Sequence, residues 1–270
     1  MTSSKIFLGD CLEILKGFSD NSIDLVMTSP PYADRRAIKI DPKNYSSWFI
    51  PIADQLYRVL KPTGSFILNI KENVSNTERD TYVIELILEM RKSKWLWTEE
   101  YIWCKTNSVP GKWPNRFRDS WERCLHFTKE KHFKMNQESV MIPIGDWAES
   151  RLKQLDKNET RHDSRTNSGF GRDLSKWINR DKVYPSNVLH LAVEGKNKNH
   201  SAVFPITLPT WFIKLFTNEE DIVLDPFLGS GTTALAAKQL NRKYIGIEID
   251  PEYYSLAMQR VGDNSNDSTR

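Results

Sequence analysis

A glycine-rich turn, Asp225-Pro226-Phe227-Leu228-Gly229-Ser230-Gly231-Thr232-Thr233, joins a short apolar strand to a helix. Glycines in such a turn let the backbone pass close to a ligand at the carboxyl edge of a sheet, where α/β folds bind cofactors. The next predicted strand ends at Glu248, about where an acid receives ribose hydroxyls in nucleotide-binding βαβ units. This glycine turn predicts an α/β fold that binds a nucleoside, and the alternative is a tight turn that caps a helix at Thr232.

The glycine turn differs from the loops that bind dinucleotides or nucleoside triphosphates. The third glycine of the Gly-x-Gly-x-x-Gly fingerprint is absent, and so is the Gly-Lys-Ser/Thr ending of a phosphate loop. Both differences argue against NAD and ATP as ligands. They favour a nucleoside cofactor that carries no pyrophosphate.

Apolar periodicity alternates between strand and helix along most of the chain. Strands that alternate with helices imply a mostly parallel sheet covered by helices on both faces. The segment Lys61-Pro62-Thr63-Gly64 predicts a turn that ends one helix and leads into the next strand. The predicted strands are 22–28, 65–70, 97–103, 221–225 and 243–248, and the predicted helices are 48–60, 81–92, 208–216, 232–240 and 251–261.

Composition narrows the class of protein. A chain of 270 residues with 39% apolar and 11% aromatic content can bury a large core, which excludes a disordered chain. No apolar run is long enough to span a membrane and no apolar leader follows Met1, so we expect a cytoplasmic protein without membrane contact. The scattered Cys11, Cys104 and Cys124 lack metal-ligand spacing, so we expect reduced thiols and no metal site.

Basic residues are concentrated in the middle of the chain. Residues 91–200 carry 22 Lys or Arg against 14 Asp or Glu, whereas residues 1–90 carry 10 against 12 and residues 201–270 carry 6 against 9. A basic middle rich in Trp and Asn is typical of a surface that binds a polyanion, and the alternative is a solvated, lysine-rich surface. Residues 131–199 also lack apolar periodicity, and so long a stretch inside a compact protein is usually functional or disordered.

A second motif is the tetrapeptide Ser29-Pro30-Pro31-Tyr32, which directly follows the predicted strand 22–28. Its prolines fix φ and remove two N–H donors, so the turn is rigid and displays carbonyl acceptors. The ring of Tyr32 then follows at a fixed distance and is available for stacking. A hydroxyl, a carbonyl and a ring can together hold a flat base by its amino group. The alternative is that Pro-Pro only ends a strand and that Tyr32 belongs to the core.

The tetrapeptide and the glycine turn together resemble those of the DNA amino-methyltransferases, which methylate cytosine N4 or adenine N6. The family pattern is Asp/Asn/Ser-Pro-Pro-Tyr/Phe for the catalytic motif and Phe-x-Gly-x-Gly for the cofactor motif. Here the catalytic motif comes first, which resembles the permuted β-class order. The resemblance implies a Rossmann-like, S-adenosylmethionine-dependent methyltransferase fold of the α/β class that is circularly permuted and carries an inserted target-recognition region.

The resemblance also implies the roles of residues. Gly9-Asp10-Cys11 resembles the segment that contacts the cofactor adenine, and residues 200–205 resemble the segment that holds the methionine moiety. Segments 102–105 and 116–122 resemble late catalytic motifs. The implied catalytic residues are Ser29, Pro30, Pro31 and Tyr32, and the implied cofactor-binding residues are Asp10, Cys11, Phe204, Asp225, Pro226, Phe227, Gly229, Ser230, Gly231, Thr232 and Glu248.

On this resemblance, residues 1–130 form the catalytic half, residues 200–270 form the cofactor-binding half, and residues 131–199 are by elimination the target-recognition region. Basic residues of the middle would hold DNA phosphates and give affinity that is independent of sequence. The histidines His126, His132, His162 and His190 are expected to be structural or at the surface, because direct methyl transfer needs no imidazole. The candidate phosphate-binding residues are Lys105, Lys112, Arg116, Arg118, Arg161, Arg165 and Arg172.

Within the family, serine at position 29 accompanies cytosine N4, whereas Asp or Asn usually accompanies adenine N6. No Pro-Cys dipeptide occurs, so the thiolate of the cytosine C5 enzymes is missing. We therefore expect methyl transfer from S-adenosylmethionine to N4 of a flipped cytosine in double-stranded DNA, within a restriction-modification system near the nucleoid. The alternatives are adenine N6, an RNA or protein amine or amide, and a non-catalytic nucleic-acid-binding module. A homodimer and a cognate restriction endonuclease stay open as partners.

Overall fold

The computed structural model describes residues 4–33, 40–75, 77–108, 110–111, 114–145, 181–193 and 204–262. Its strands are β1 (Lys5–Leu8), β2 (Ile23–Thr28), β3 (Leu60–Ile70), β4 (Val74–Ser75), β5 (Glu78–Arg79), β6 (Leu96–Lys105), β7 (Trp121–Thr128), β8 (Ile142–Pro143), β9 (Lys182–Val183), β10 (Val188–Leu191), β11 (Ile222–Asp225) and β12 (Lys243–Glu248). Its α-helices are α1 (Cys11–Leu15), α2 (Tyr45–Val59), α3 (Tyr82–Lys92), α4 (Thr207–Phe216), α5 (Thr232–Gln239) and α6 (Pro251–Val261).

Among these described residues, eight strands form the main sheet in the order β1-β12-β11-β2-β3-β7-β6-β10. The first five strands of that order run parallel, β7 is antiparallel to both β3 and β6, and β10 pairs with β6 in parallel. Every residue of β2 is buried, as expected for a central strand whose two faces are both covered by helices. The prediction of a mostly parallel α/β sheet is confirmed.

The order of the strands places a crevice between β11 and β2. From β11 the chain continues to β12 on one side, whereas from β2 it continues to β3 on the other side. In open α/β sheets, ligands bind outside the carboxyl ends of strands at such a reversal of order. The glycine turn follows β11 and the tetrapeptide follows β2, so both motifs lie at this reversal.

The predicted turn at Lys61–Gly64 is wrong in one respect, because β3 continues through it. Ile23 of β2 pairs with Leu60, and Leu25 pairs with Ser65, so the four residues between them form a wide irregularity in the ladder. A Cβ atom on Gly64 would lie 2.8 Å from the backbone oxygen of Asp24, which cannot move aside as a side chain can, so only glycine fits there. The strand bulges without ending.

The chain divides into two compact units. One comprises Met1–Asn136 and Asn187–Arg270 and contains the main sheet, and the other is Gln137–Ser186 and contains the short antiparallel pair of β8 and β9. Strand β10 falls inside the predicted middle region 131–199, yet it forms an edge of the main sheet. No helix in the described part of the chain is long and apolar enough to cross a membrane.

Candidate active site

Asp225 ties the two motifs together at the crevice. Its Oδ1 accepts hydrogen bonds from Thr28 Oγ1 at 2.6 Å and from Phe227 N at 3.0 Å, and its Oδ2 accepts one from Thr233 Oγ1 at 2.6 Å. Burial raises the pKa of this carboxyl to about 6, against the effect of its hydrogen-bond donors. The side chain of Asp225 therefore joins the end of β2 to both ends of the glycine turn.

The two glycines of the turn serve different purposes. Both adopt the left-handed region, with φ of 55° at Gly229 and 84° at Gly231. A Cβ atom on Gly231 would lie 3.1 Å from Ala257 Cβ in α6, so this glycine allows close packing. A Cβ atom on Gly229 would meet no atom within 4 Å, so this glycine borders open space. Its N–H donates to Glu248 Oε2 at 2.7 Å.

Arg260 in α6 fixes the remaining polar groups of the turn. Its guanidinium donates to Thr232 Oγ1 at 2.8 Å and to Ser230 Oγ at 3.1 Å, and both hydroxyl-bearing residues are buried. The sequence interpretation assigned both residues to the cofactor and did not find Arg260. Arg260 lies 30 residues beyond Ser230, on a helix whose pattern shows only amphipathicity, so no local signal marks it.

Glu248 and Asp10 lie at the ends of the neighbouring strands β12 and β1. Gly9 N donates to the backbone oxygen of Glu248 at 2.8 Å, and Asp250 N donates to its Oε1 at 2.9 Å. Each carboxylate oxygen keeps a second lone pair that a ribose hydroxyl can use. Asp10 Oδ1 caps α1 by accepting from Leu12 N at 2.8 Å. Burial raises the pKa of the adjacent Cys11 thiol to about 12, so it stays protonated.

The open side of this edge suits a nucleoside. The space at Gly229 lies beside the acceptor oxygens of Glu248, and the next side chain, Ile249, is apolar and 54% exposed. A ligand with hydroxyls and a flat apolar base would meet acceptors and an apolar surface there. The structure does not join Phe204 to this edge, because within the described ranges no hydrogen bond or ring contact links it to the glycine turn.

The tetrapeptide is fixed through the hydroxyl of its tyrosine. Ser29 Oγ donates to Tyr32 Oη at 3.2 Å, and Tyr32 Oη donates to Glu122 Oε2 at 2.7 Å. Asn69 Oδ1 lies 3.3 Å from the same hydroxyl. The ring of Tyr32 is only 8% exposed and packs in the core, whereas an openly available ring was expected.

Helix α2 supports both motifs with its aromatic face. Tyr45 Oη donates to the carbonyl oxygen of Pro31 at 2.9 Å, which anchors the tetrapeptide. The rings of Trp48 and Phe49 lie 5.7 and 6.4 Å from the ring of Phe227 in the glycine turn. The predicted cofactor residue Phe227 is therefore part of an aromatic cluster that also includes the support of the tetrapeptide.

Glu122 and Asn69 are site residues that the sequence interpretation missed. Glu122 is the second residue of β7, is 7% exposed, and accepts at Oε1 from Lys105 Nζ. Lys105 was expected to hold a phosphate, but the structure pairs it with Glu122 beside the tetrapeptide. Asn69 Nδ2 donates to the backbone oxygen of Arg123 at 3.1 Å, which fixes its amide. The segment 116–122 gave a family signal, but nothing in it singled out Glu122.

The loop before β7 presents two of the predicted phosphate-binding residues. Arg116 pairs with Asp119 at 3.3 Å, and Arg118 donates to the backbone oxygen of Ser108 at 3.0 Å. Between the two arginines, Phe117 is 96% exposed. The predicted residues Lys112, Arg161, Arg165 and Arg172 lie outside the described residues.

The crevice therefore combines an open edge that carries the Glu248 acceptors with a hydroxyl on a rigid turn, at the carboxyl ends of adjacent parallel strands. This fold and site define a Rossmann-like, S-adenosylmethionine-dependent methyltransferase, and the residues around Gly229 and Glu248 fit that cofactor. The family described as DNA methylase (N6_N4_Mtase) matches residues 23–259, and the chain belongs to this family.

Individual relatives are similar along nearly the whole chain. The Type II methyltransferase M.PvuII of Proteus hauseri is 29% identical over 290 residues, covering 98% of this chain and 85% of its own length. A solved structure of the PvuII DNA methyltransferase (cytosine-N4-specific) is 26% identical, covers 98% of this chain and 88% of its own, and has a TM-score of 0.74. TTHA0409 from Thermus thermophilus, a putative DNA modification methylase solved with S-adenosyl-L-methionine, shares the fold with a TM-score of 0.65 and 22% identity, covering 96% of this chain and 93% of its own.

Proposed function

We propose that this protein is a cytoplasmic, site-specific DNA methyltransferase that methylates the exocyclic N4 of a cytosine flipped out of duplex DNA. The observation that carries the proposal is Ser29 at the head of the tetrapeptide, with its hydroxyl proton directed at Tyr32. The specificity of the similar PvuII enzyme, cytosine N4, supports this choice of base. The similar Type II methyltransferases support a role in protecting host DNA from a cognate restriction endonuclease.

The cofactor site of this proposal is the open edge around Gly229. Glu248 receives the ribose hydroxyls, Ile249 covers one face of the adenine, and Asp10 lies at the neighbouring strand end. S-adenosylmethionine supplies an electrophilic methyl group on its sulfonium. The chain's own contribution is to place the acceptor amine against that group in a fixed orientation, which supplies most of the acceleration in a direct transfer.

The tetrapeptide holds the amine. An exocyclic amine is a poor nucleophile because its lone pair is delocalised into the ring. Ser29 Oγ and the carbonyl oxygen of Pro30 accept its two N–H bonds, which keeps the nitrogen partly pyramidal and its lone pair directed outward. The carbonyl of Pro31 is engaged by Tyr45, whereas within the described ranges the carbonyl of Pro30 has no such donor. The rigid turn thus leaves the acceptor next to Ser29 for the substrate.

The DNA must present a single base to this crevice. Flipping the base out of the duplex costs on the order of a few kcal/mol. We assign the phosphate contacts to Arg116 and Arg118, on the loop before β7, and such contacts make the affinity sensitive to salt. Lys105 is assigned instead to Glu122, on the contact that the structure shows.

The test is to identify the modified base and to remove the serine hydroxyl. Unmethylated duplex DNA is incubated with the full chain and S-adenosylmethionine and digested to nucleosides, and the modified nucleoside is identified by mass spectrometry. We expect N4-methyldeoxycytidine, and we expect Ser29→Ala to lower the transfer rate at least about a hundredfold while cofactor affinity is unchanged. Ser93→Ala, at the end of α3, is the matched control and should transfer normally.

Each other outcome has a defined meaning. N6-methyldeoxyadenosine without N4-methyldeoxycytidine would establish the adenine alternative that the family also contains. Modification of RNA but not of duplex DNA would reject a DNA substrate. Full activity of the Ser29→Ala variant would remove the hydroxyl from the mechanism, whichever base is modified.

A further inference from the structure

We infer that Glu122 is a positioning residue that orients the Ser29–Tyr32 hydrogen bonds and takes up the proton that the amine releases. This inference rests on the proposed function and adds a residue to it. Glu122 is 7% exposed and lies near the start of β7, with its Oε2 2.7 Å from Tyr32 Oη of the tetrapeptide. Its hydrogen bond is to Tyr32, which in turn bonds to Ser29, so we place its action on the amine through these two hydroxyls.

The carboxylate sets the direction of the chain of hydrogen bonds. An ionised carboxylate is an acceptor only, so the single hydroxyl proton of Tyr32 points at Glu122 Oε2, 2.7 Å away. Tyr32 Oη must then accept from Ser29 Oγ, at 3.2 Å. The lone pairs of Ser29 Oγ are thereby left for an N–H bond of the amine. Without Glu122, the Ser29 hydroxyl could turn and donate, which would not hold an amine.

The two neighbours of Glu122 and Tyr32 maintain this arrangement. Lys105 Nζ donates to Glu122 Oε1, so the buried charge is paired while Oε2 stays directed at Tyr32. Asn69 Nδ2 donates to the backbone oxygen of Arg123 at 3.1 Å. Its Oδ1 therefore faces the Tyr32 hydroxyl as a second acceptor, at 3.3 Å. Glu122 and Asn69 thus both favour a Tyr32 proton that points away from Ser29.

The same series of hydrogen bonds, from Ser29 through Tyr32 to Glu122, gives the proton released by the amine a path. An amine that gains a methyl group must lose one proton, and its N–H bond breaks as an O–H bond forms on Ser29 Oγ. The original Ser29 proton passes to Tyr32 Oη, and the original Tyr32 proton passes to Glu122 Oε2. Ser29 and Tyr32 end unchanged, and Glu122 ends neutral until it releases the proton to water. Lys105 keeps its charge throughout.

A purely structural role for the Glu122–Lys105 pair would be to hold β6 against β7, so the experiment must separate the two roles. The first variant is Glu122→Gln, which keeps the shape and an acceptor oxygen but cannot take up a proton. We expect kcat for DNA methylation to fall about 10- to 100-fold, with KM for DNA and for S-adenosylmethionine within about twofold of the wild type. The matched control is Glu100→Gln, a carboxylate on β6 that pairs with Arg123, and it should keep the wild-type kcat.

A double-mutant cycle with Tyr32→Phe gives the decisive readout. Tyr32→Phe removes one oxygen atom and interrupts the hydrogen bonds that link Ser29 to Glu122, so kcat should fall while cofactor affinity stays the same. If Glu122 acts through Tyr32, adding Glu122→Gln in the Tyr32→Phe background should change kcat by no more than about twofold. Independent, multiplying effects would overturn the inference, and so would a wild-type kcat for Glu122→Gln.

Two further outcomes are also decisive. If Glu122→Gln does not fold, as judged by circular dichroism, Tyr32→Phe alone carries the test, and a wild-type kcat for it would overturn the inference. If the wild-type protein methylates no DNA amino group, the proposed function itself fails. That result differs from one in which the wild type is active and Glu122→Gln is equally active, which removes only Glu122.

Discussion

The glycine turn and the tetrapeptide meet at one crevice but are held in place differently. The contacts of the glycine turn are mostly local, since Thr233 and Glu248 lie 8 and 19 residues from the groups that they bind. The tetrapeptide is held by Tyr45, Asn69 and Glu122, which lie 14, 37 and 90 residues from their partners. One turn is a strand-turn-helix unit, whereas the other is assembled from α2, β3 and β7.

This difference separates the two tasks of the site. A unit built from local contacts can keep its shape for the cofactor while the rest of the crevice changes. A turn assembled from distant elements places its hydroxyl accurately only when each element is in position, so its supports should affect the rate of transfer. Thr28 and Asp225 form a hydrogen bond that connects the two turns across 197 positions of the chain.

Among the variants that test this contrast between the two turns, the largest effect is expected on cofactor binding by Gly229→Asp. The new carboxylate would stand in the open space at Gly229 and repel the carboxylate of Glu248, which receives the ribose hydroxyls. Because this repulsion displaces the ribose acceptor, S-adenosylmethionine affinity should fall at least about thirtyfold. Titration calorimetry with the full chain measures this change. An unchanged affinity would show that the glycine turn is not part of the cofactor site, and the proposed contrast between the two turns would then fail.

Gly229→Ala is the matched control for backbone strain. Its Cβ atom meets nothing within 4 Å, so the variant bears only the cost of the left-handed φ of 55°, about 1–2 kcal/mol of folding free energy. Its cofactor affinity should stay well above that of the aspartate variant. Equal losses in both variants would mean that strain, and not the added charge, weakens binding.

The same contrast explains what could be predicted from the sequence. The strand, turn and helix around the glycine turn are found within one or two residues of the predicted bounds, because local propensity and glycine chemistry determine them. The supports of the tetrapeptide were not predicted, because Glu122 reaches Tyr32 only through the antiparallel pairing of β7 with β3. Strand β10 was missed for the same reason, since four residues in a polar stretch become a strand by pairing with β6.

An intermediate effect is expected from Arg260→Ala. Arg260 is a more distant contact of the glycine turn, donating to Ser230 and Thr232 from α6. Loss of these hydrogen bonds should weaken S-adenosylmethionine binding about five- to tenfold, with kcat unchanged at saturating cofactor. Gln259→Ala, on the preceding and exposed position of α6, is the control and should bind normally. A lower kcat with unchanged affinity would show that the two turns are not separable in this way.

The smallest expected effect is from Tyr45→Phe, which tests the tetrapeptide from its α2 side. The phenylalanine ring keeps the packing against Trp48 and Phe49, and only the hydrogen bond to the carbonyl of Pro31 is lost. One neutral hydrogen bond is worth about 0.5–1.5 kcal/mol, so kcat should fall about two- to tenfold while cofactor affinity stays the same. Tyr57→Phe, on the same helix, is the control and should leave kcat unchanged. If Tyr45→Phe instead weakens cofactor binding, α2 acts on the glycine turn through its contact with Phe227, and the aromatic cluster couples the two turns.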